Sequence, residues 1–206
     1  MLLKMERKDD TIKRRVVVFD FDGTLTSRDS LAEFIRFAVG RWRYYAGLLA
    51  CSPVLAAYVL KLMPNYRAKE RLFSHFFRGM SQEDFVQLGK DFAEVAHPLM
   101  RLEVLDSLQR HIADGAKVYV ISASIEEWVR PIVSRYGVRN VLGTRVEVSG
   151  GLLTGRFLTK NCYGPEKVRR LLEVEPRREE YHLTAYGDSR GDREMLNQAD
   201  RAIWVR

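Results

Sequence analysis

Arg14-Arg15-Val16-Val17-Val18-Phe19-Asp20-Phe21-Asp22-Gly23-Thr24-Leu25-Thr26 is an apolar, β-branched run that stops at two aspartates one residue apart. It predicts a buried strand, Val16–Asp20, of the kind found in parallel sheets. In such a strand Asp20 and Asp22 face the same side. Two carboxylates held that close are costly unless a cation or a shared proton compensates. A hard divalent ion such as Mg2+ takes carboxylate and carbonyl oxygens and is usually completed by water and substrate phosphate, so the pair points to phosphoryl chemistry. Gly23 and Thr24 follow where the strand becomes a loop, and glycine there lets backbone N–H groups swing toward an anion.

Partners for this pair follow in order. Ala116–Ile121 reads as a second buried strand, ending in Ser122-Ala123-Ser124, which opens a helix near Glu126. Lys167 falls in the first turns of a later helix, after Asn161-Cys162-Tyr163-Gly164-Pro165-Glu166. The short strand Leu183–Tyr186 ends in Gly187-Asp188-Ser189-Arg190-Gly191-Asp192, a second acidic pair. Open α/β sheets bind ligands at these strand ends. Each feature has a plain structural reading: Ser122 as a helix cap, Lys167 as a solvated charge, Asp188 and Asp192 as caps of a helix Arg193–Ala199. Their joint occurrence argues for one site.

With these motifs the chain resembles the haloacid dehalogenase superfamily of aspartate-nucleophile phosphotransferases. Asp20-Phe21-Asp22-Gly23-Thr24 matches the first motif, Ser122 the second, Lys167 the third and Gly187–Asp192 the fourth. The approach to Lys167 and the long insertion between the first two motifs resemble the phosphoserine-phosphatase-like branch, with its helical cap. The resemblance implies an α/β fold, a Rossmann-like parallel sheet with helices on both faces and an inserted all-helical cap. The expected division is a core of residues 1–26 and 99–206 with a cap of 27–98. It also implies roles. Asp20 would be the nucleophile and Asp22 the general acid and base, with the backbone of Gly23, Thr24 and Ala123, the Ser122 hydroxyl and Lys167 around the phosphoryl group. Mg2+ would be held by Asp20, the Asp22 backbone carbonyl and Asp188, and Asp192 would orient Lys167 or metal-bound water. The presence of Asp22 favours phosphate over halide as leaving group.

Composition fits a compact enzyme of 206 residues, 46% hydrophobic and 30% charged, without repeats or low-complexity tracts. The first ten residues carry no apolar stretch after their charges, so they read as a frayed arm and not a secretory signal, and a cytoplasmic location is expected. Cys51 and Cys162 read as free thiols.

The insertion predicts helices at Asp29–Val39, Trp42–Met63 with a break at Pro53, Tyr66–Phe77 and Ser81–Ala96, before a core helix Leu99–Ala113. Later, Glu126–Tyr136 reads as a helix, Gly143–Val148 and Leu152–Leu158 as a hairpin, and Ala202–Val205 as a closing strand. Tyr44–Met63 holds a single charge, Lys61, and reaches the length of a membrane span. Pro53 divides it, and both ends return to one domain. A packed helical hairpin and a surface touching lipid are the readings that fit. Between Arg28 and Met80 nine basic residues face three acidic ones, a net +6 of the chain's +7. That charge suits either a rim steering phosphate inward or an anionic membrane. The expected substrates are a lipid phosphate or a small phosphorylated metabolite such as phosphoserine. A non-catalytic membrane-binding module and a nucleic-acid partner fit less well, because the acidic motifs are intact and no binding module is present.

Overall fold

The computed structural model describes residues 13–205. The expected frayed arm lies outside them. Five strands form one parallel sheet: β1 (Arg14–Phe19), β2 (Lys117–Ile125), β3 (Asn140–Thr144), β6 (Tyr181–Gly187) and β7 (Arg201–Trp204), in the order β3-β2-β1-β6-β7. A two-stranded antiparallel hairpin, β4 (Val146–Ser149) with β5 (Leu152–Phe157), stands apart. Strands are added on one side of β1 through β2 and β3 and on the other through β6 and β7, so the sheet's switch point lies at the end of β1.

The alternation of β1 explains the layers. Val17 and Phe19 face one hydrophobic cluster, Val16 and Val18 the other, and all four are buried. On the Val17 side lie α6 (Leu102–Ala113) and α7 (Glu126–Ser134), through Leu105, Leu108, Trp128 and Ile132. On the Val16 side lie α8 (Pro165–Val174) and α9 (Arg193–Gln198), through Leu171, Met195 and Leu196. The expected parallel sheet with helices on both faces is present.

Between β1 and β2 come α1 (Ser30–Val39), α2 (Arg41–Ala50), α3 (Ser52–Val59), α4 (Asn65–Phe77) and α5 (Gln82–Val95). Asp29 caps α1 by accepting from Leu31 N and Ala32 N, and Ser81 caps α5 by accepting from Asp84 N at 3.0 Å. Phe34, Phe73, Phe77 and Phe85 interlock and reach Trp128 of α7, on which Phe34 stacks at 4.4 Å.

Four local expectations change. The predicted helix 42–63 breaks at Cys51, not at Pro53, because Pro53 sits in the first turn of α3, where a missing N–H costs nothing. β2 continues through Ser122-Ala123-Ser124, so these residues lie on a strand and not at a helix cap. Gly143 belongs to β3, an edge strand of the main sheet, and the hairpin begins only at Val146. The predicted helix Leu99–Ala113 starts at Leu102, since Thr26 pairs with Met100 in a β-bridge and Arg101 N bonds Leu25 O.

Candidate active site

β1 and β6 deliver Asp20 and Asp188 to the same edge of the sheet. The Asp20 N–H still pairs with Tyr186 O at 3.0 Å, after which the chain turns away through Gly23 at φ +84°. A Cβ at Gly23 would stand 2.3 Å from Asp188 Oδ2, so only glycine allows the two loops to meet there. Thr24, fully buried, donates its hydroxyl toward Asp20 Oδ2 (3.3 Å) and Asp188 Oδ1 (3.1 Å). Oxygens of Asp20, Asp188 and Asp192 all lie within 4.8 Å of one another.

Lys167 enters from the first turns of α8 and is 2% exposed. Its ammonium donates to Asp20 Oδ1 and to Asp192 Oδ1, the latter at 2.5 Å. Burial disfavours the charge, but the two carboxylates outweigh it and hold Lys167 protonated, above the ordinary lysine range. Asp192 is oriented from behind: its Oδ2 accepts from Ser189 N at 3.0 Å and Ser189 Oγ at 2.9 Å. Asp20 shows the opposite balance. Burial pushes its carboxyl up to about 7, although Lys167 pulls it down, and Asp192 adds to the rise. Three buried or clustered carboxylates against a single ammonium form a hard oxygen donor set, short of positive charge. The residues fit a divalent cation.

Asp22 lies in different surroundings. One oxygen accepts from Ser30 N at 2.7 Å and the other from Ser124 Oγ. Ser30 Oγ donates to Ser124 Oγ at 3.2 Å, and Trp128 Nε1 donates to Ser30 Oγ at 3.1 Å. Burial raises the Asp22 pKa and nearby Asp29 adds to this, against Lys69 and the two serine bonds. Ser122 Oγ accepts from Ser124 N at 2.9 Å, which leaves its own proton to donate.

A cavity of about 390 Å³ opens over this edge and is lined by Asp20, Asp22, Ser122, Ala123, Lys167 and Asp192. Gly23 and Thr24 lie beneath it and do not line it. Its outer wall comes from the insertion: Leu31, Leu55, Tyr58, Asn65, Lys69 and Leu72. Lys69 Nζ donates to Ala123 O at 3.2 Å, tying α4 to β2. Ser30, Ser124, Trp128 and Lys69 escaped the sequence reading. Ser124 alone carried a signal, two residues beyond Ser122 on the same strand face.

The haloacid dehalogenase-like hydrolase family model matches residues 17–197. The chain belongs to that family. Among relatives of this hydrolase, protein CicA of Caulobacter vibrioides is 36% identical over 189 residues, spanning 90% of this chain and 83% of that protein. A probable phosphatase of Mycobacterium tuberculosis is 30% identical over 202 residues, 93% of this chain and 69% of its own length. Among solved structures, a phosphoserine phosphatase carrying a phospho-aspartyl intermediate analogue superimposes with a TM-score of 0.56 at 18% identity, covering 94% of this chain and 95% of that one. The likeness to that phosphoserine phosphatase is one of fold. Among the described residues no helix is long and apolar enough to cross a membrane.

Proposed function

We propose that the chain is a Mg2+-dependent phosphomonoester hydrolase that works through an aspartyl-phosphate on Asp20. The observation that carries this reading is the contrast between two carboxylates two residues apart. Asp20 is paired with an ammonium, whereas Asp22 is held by neutral donors. An ion-paired carboxylate suits a nucleophile, and one held only by uncharged hydrogen-bond donors suits a proton carrier.

In the proposed sequence, an Asp20 oxygen attacks phosphorus in line while Asp22 gives its proton to the departing alkoxide oxygen. Asp22 then takes a proton from water attacking the aspartyl-phosphate, which releases phosphate, frees the Asp20 carboxylate and returns Asp22 to its acid form. Lys167, the Ser122 hydroxyl and the Ala123 backbone hold the phosphoryl oxygens, with the loop of Gly23 and Thr24 beneath. Asp192 keeps Lys167 aimed at Asp20. Mg2+, when held by Asp20, Asp188 and the Asp22 backbone carbonyl, would supply the positive charge that lets an anionic nucleophile meet an anionic phosphate.

Residues 27–98 are taken as the cap and the remainder as the core, in a cytoplasmic enzyme. For the leaving group we favour a lipid alcohol, because Leu31, Leu55, Tyr58 and Leu72 give the outer wall an apolar stretch. A small polar metabolite such as phosphoserine is the second reading, favoured by Asp29, Asn65 and Lys69 in the same wall.

The test is phosphate release from an aryl phosphate. Activity should vanish in chelator and return with Mg2+. Asp20→Asn should lower kcat by at least the roughly 10⁴-fold expected on losing a nucleophile, with an unchanged circular dichroism spectrum. Full turnover after exhaustive chelation would overturn the metal assignment, and phosphoenzyme trapped on another residue would overturn the nucleophile. A panel of phosphoserine and phosphorylated glycerolipids then separates the two substrates.

A further inference from the structure

We infer that the tip formed by α2 and α3 is a docking surface for an anionic lipid bilayer, which would make the substrate a phosphomonoester carried at that surface. The substrate clause rests on the phosphatase reading; the docking does not.

The tip is apolar where water should find it polar. α3, Ser-Pro-Val-Leu-Ala-Ala-Tyr-Val, contains no charge and no buried residue. A helix apolar on all sides is expected inside a core or a bilayer, and eight residues are too few to hold a helix in water by propensity alone. Val59 at its end is 74% exposed, and on either side in the chain Trp42 is 89%, Leu49 75%, Leu60 67% and Leu62 78% exposed. So many exposed large apolar side chains within residues 42–62 mark an interaction site.

Charge selects the partner. No acidic residue occurs from Phe34 through Lys69, while Arg41, Arg43, Lys61 and Arg67 are all exposed among the apolar side chains. Lys61 sits between Leu60 and Leu62 with φ +58°, in the turn that follows α3. There an exposed ammonium lies between two exposed leucines. Basic side chains interleaved with tryptophan and leucine over α2, α3 and the turn after them match a headgroup layer over acyl chains. A second copy of this chain would place like charges face to face.

The tip is fixed at its base. Gly47 packs so tightly on α4 that a Cβ there would lie 2.2 Å from Phe76 Cζ, and Cys51 is buried at the joint of α2 and α3. From α3 itself, Leu55 and Tyr58 line the active-site cavity while Val59, and Leu60 just after the helix, are exposed. Docking the tip would therefore bring the cavity wall to the lipid surface.

The experiment uses the full chain with phosphatidylcholine vesicles bearing brominated acyl chains, with and without phosphatidylglycerol. Sedimentation should require phosphatidylglycerol and weaken as salt rises, since surface charges are screened over ~10 Å at 0.1 M. Each basic side chain near such a surface contributes on the order of 1 kcal/mol, so Arg41→Glu with Arg43→Glu should reduce binding on the order of tenfold or more. Hydrolysis of a soluble aryl phosphate without vesicles should stay unchanged, so a failed docking and a failed phosphatase reading give different results. Bromine should quench tryptophan fluorescence in the parent protein and in Trp204→Phe, and fail to do so in Trp42→Phe, because Trp128 is buried. Absence of sedimentation, equal sedimentation with both vesicles, a self-associated protein that ignores vesicles, or quenching that survives Trp42→Phe overturns the inference.

Discussion

Asp20 and Asp22 leave one strand end two residues apart, yet their holders come from opposite sides of the chain. Lys167, itself bonded to Asp192, reaches Asp20 from beyond β2, whereas Ser30 and Ser124 hold Asp22 at the start of α1 and the end of β2. The relay from Trp128 Nε1 through Ser30 and Ser124 fixes the direction from which Ser124 Oγ donates. If Asp22 delivers the leaving-group proton, its aim should matter only when the departing oxygen needs one. Ser124→Ala should therefore slow hydrolysis of an alkyl phosphate about 10- to 100-fold, a part of the 10²–10⁴ that general acid catalysis supplies. A dinitrophenyl phosphate should be cleaved at nearly the parent rate, and Ser124→Thr should restore much of the loss. An equal loss on both substrates would reduce Ser124 to a packing residue. The aspartates and Lys167 were legible from strand ends and spacing, because each sits at a turn from strand or loop to helix. Ser30 and Trp128 were not: a serine and a tryptophan 98 positions apart meet only after the insertion folds over β2.

At the level of elements, the sequence reading placed β1, β2, β6 and most helices within a few residues, since their apolar periods are long and unbroken. β3 was absorbed into the hairpin because Asn140–Thr144 is a five-residue edge strand with a glycine, too short for a period to register. Equally silent was Glu175, at the end of α8. Its carboxylate accepts from Tyr119 Oη at 2.7 Å and pairs with Arg14 at 2.6 Å and Lys117 at 2.9 Å, clamping α8 to the first residues of β1 and β2. Burial would raise its pKa, but Arg14, Tyr119 and Lys117 together pull it down to about 2. A folded-state pKa below the ordinary value of 4.5 means that ionised Glu175 stabilises the fold above that pH and loses this contribution as pH falls toward 2. Glu175→Gln should cost about 1–3 kcal/mol at pH 7, a Tm lower by several degrees in a chain of this size. The gap between the two proteins should close as pH is lowered from 7 toward 3. A gap that stays constant over that range would show that the loss comes from packing and not from charge.

Over the whole molecule, the insertion and the sheet share one hydrophobic body, with Phe34, Phe85 and Phe92 packed into the same cluster as Val17 and Trp128. The β4–β5 hairpin, drawn from the other half of the chain, is stitched to that insertion by three backbone bonds and one to a side chain. Gly79 N donates to Leu153 O and Leu153 N to Met80 O, both at 2.8 Å, Gln82 N donates to Gly151 O at 2.9 Å, and Phe157 N donates to Glu70 Oε2 at 2.9 Å. α5 closes onto α7 at Gly89, where a Cβ would meet Glu127 O at 2.2 Å. Nothing comparable holds α3, which buries no residue. Local opening costs most where burial and long-range bonding are dense and least where they are absent. Native-state hydrogen exchange should therefore divide the insertion in two. Amides of α4, α5 and the hairpin, Leu153 above all, should exchange as slowly as those of β1 and β2. Those of α3 and the turn through Lys61 should exchange orders of magnitude faster, and slow down when anionic vesicles are added. Uniform exchange from α1 through α5, fast or slow, would mean that the insertion opens as one body. Access to Asp20 would then depend on its swinging away from the sheet and not on the mobility of the α2–α3 tip alone.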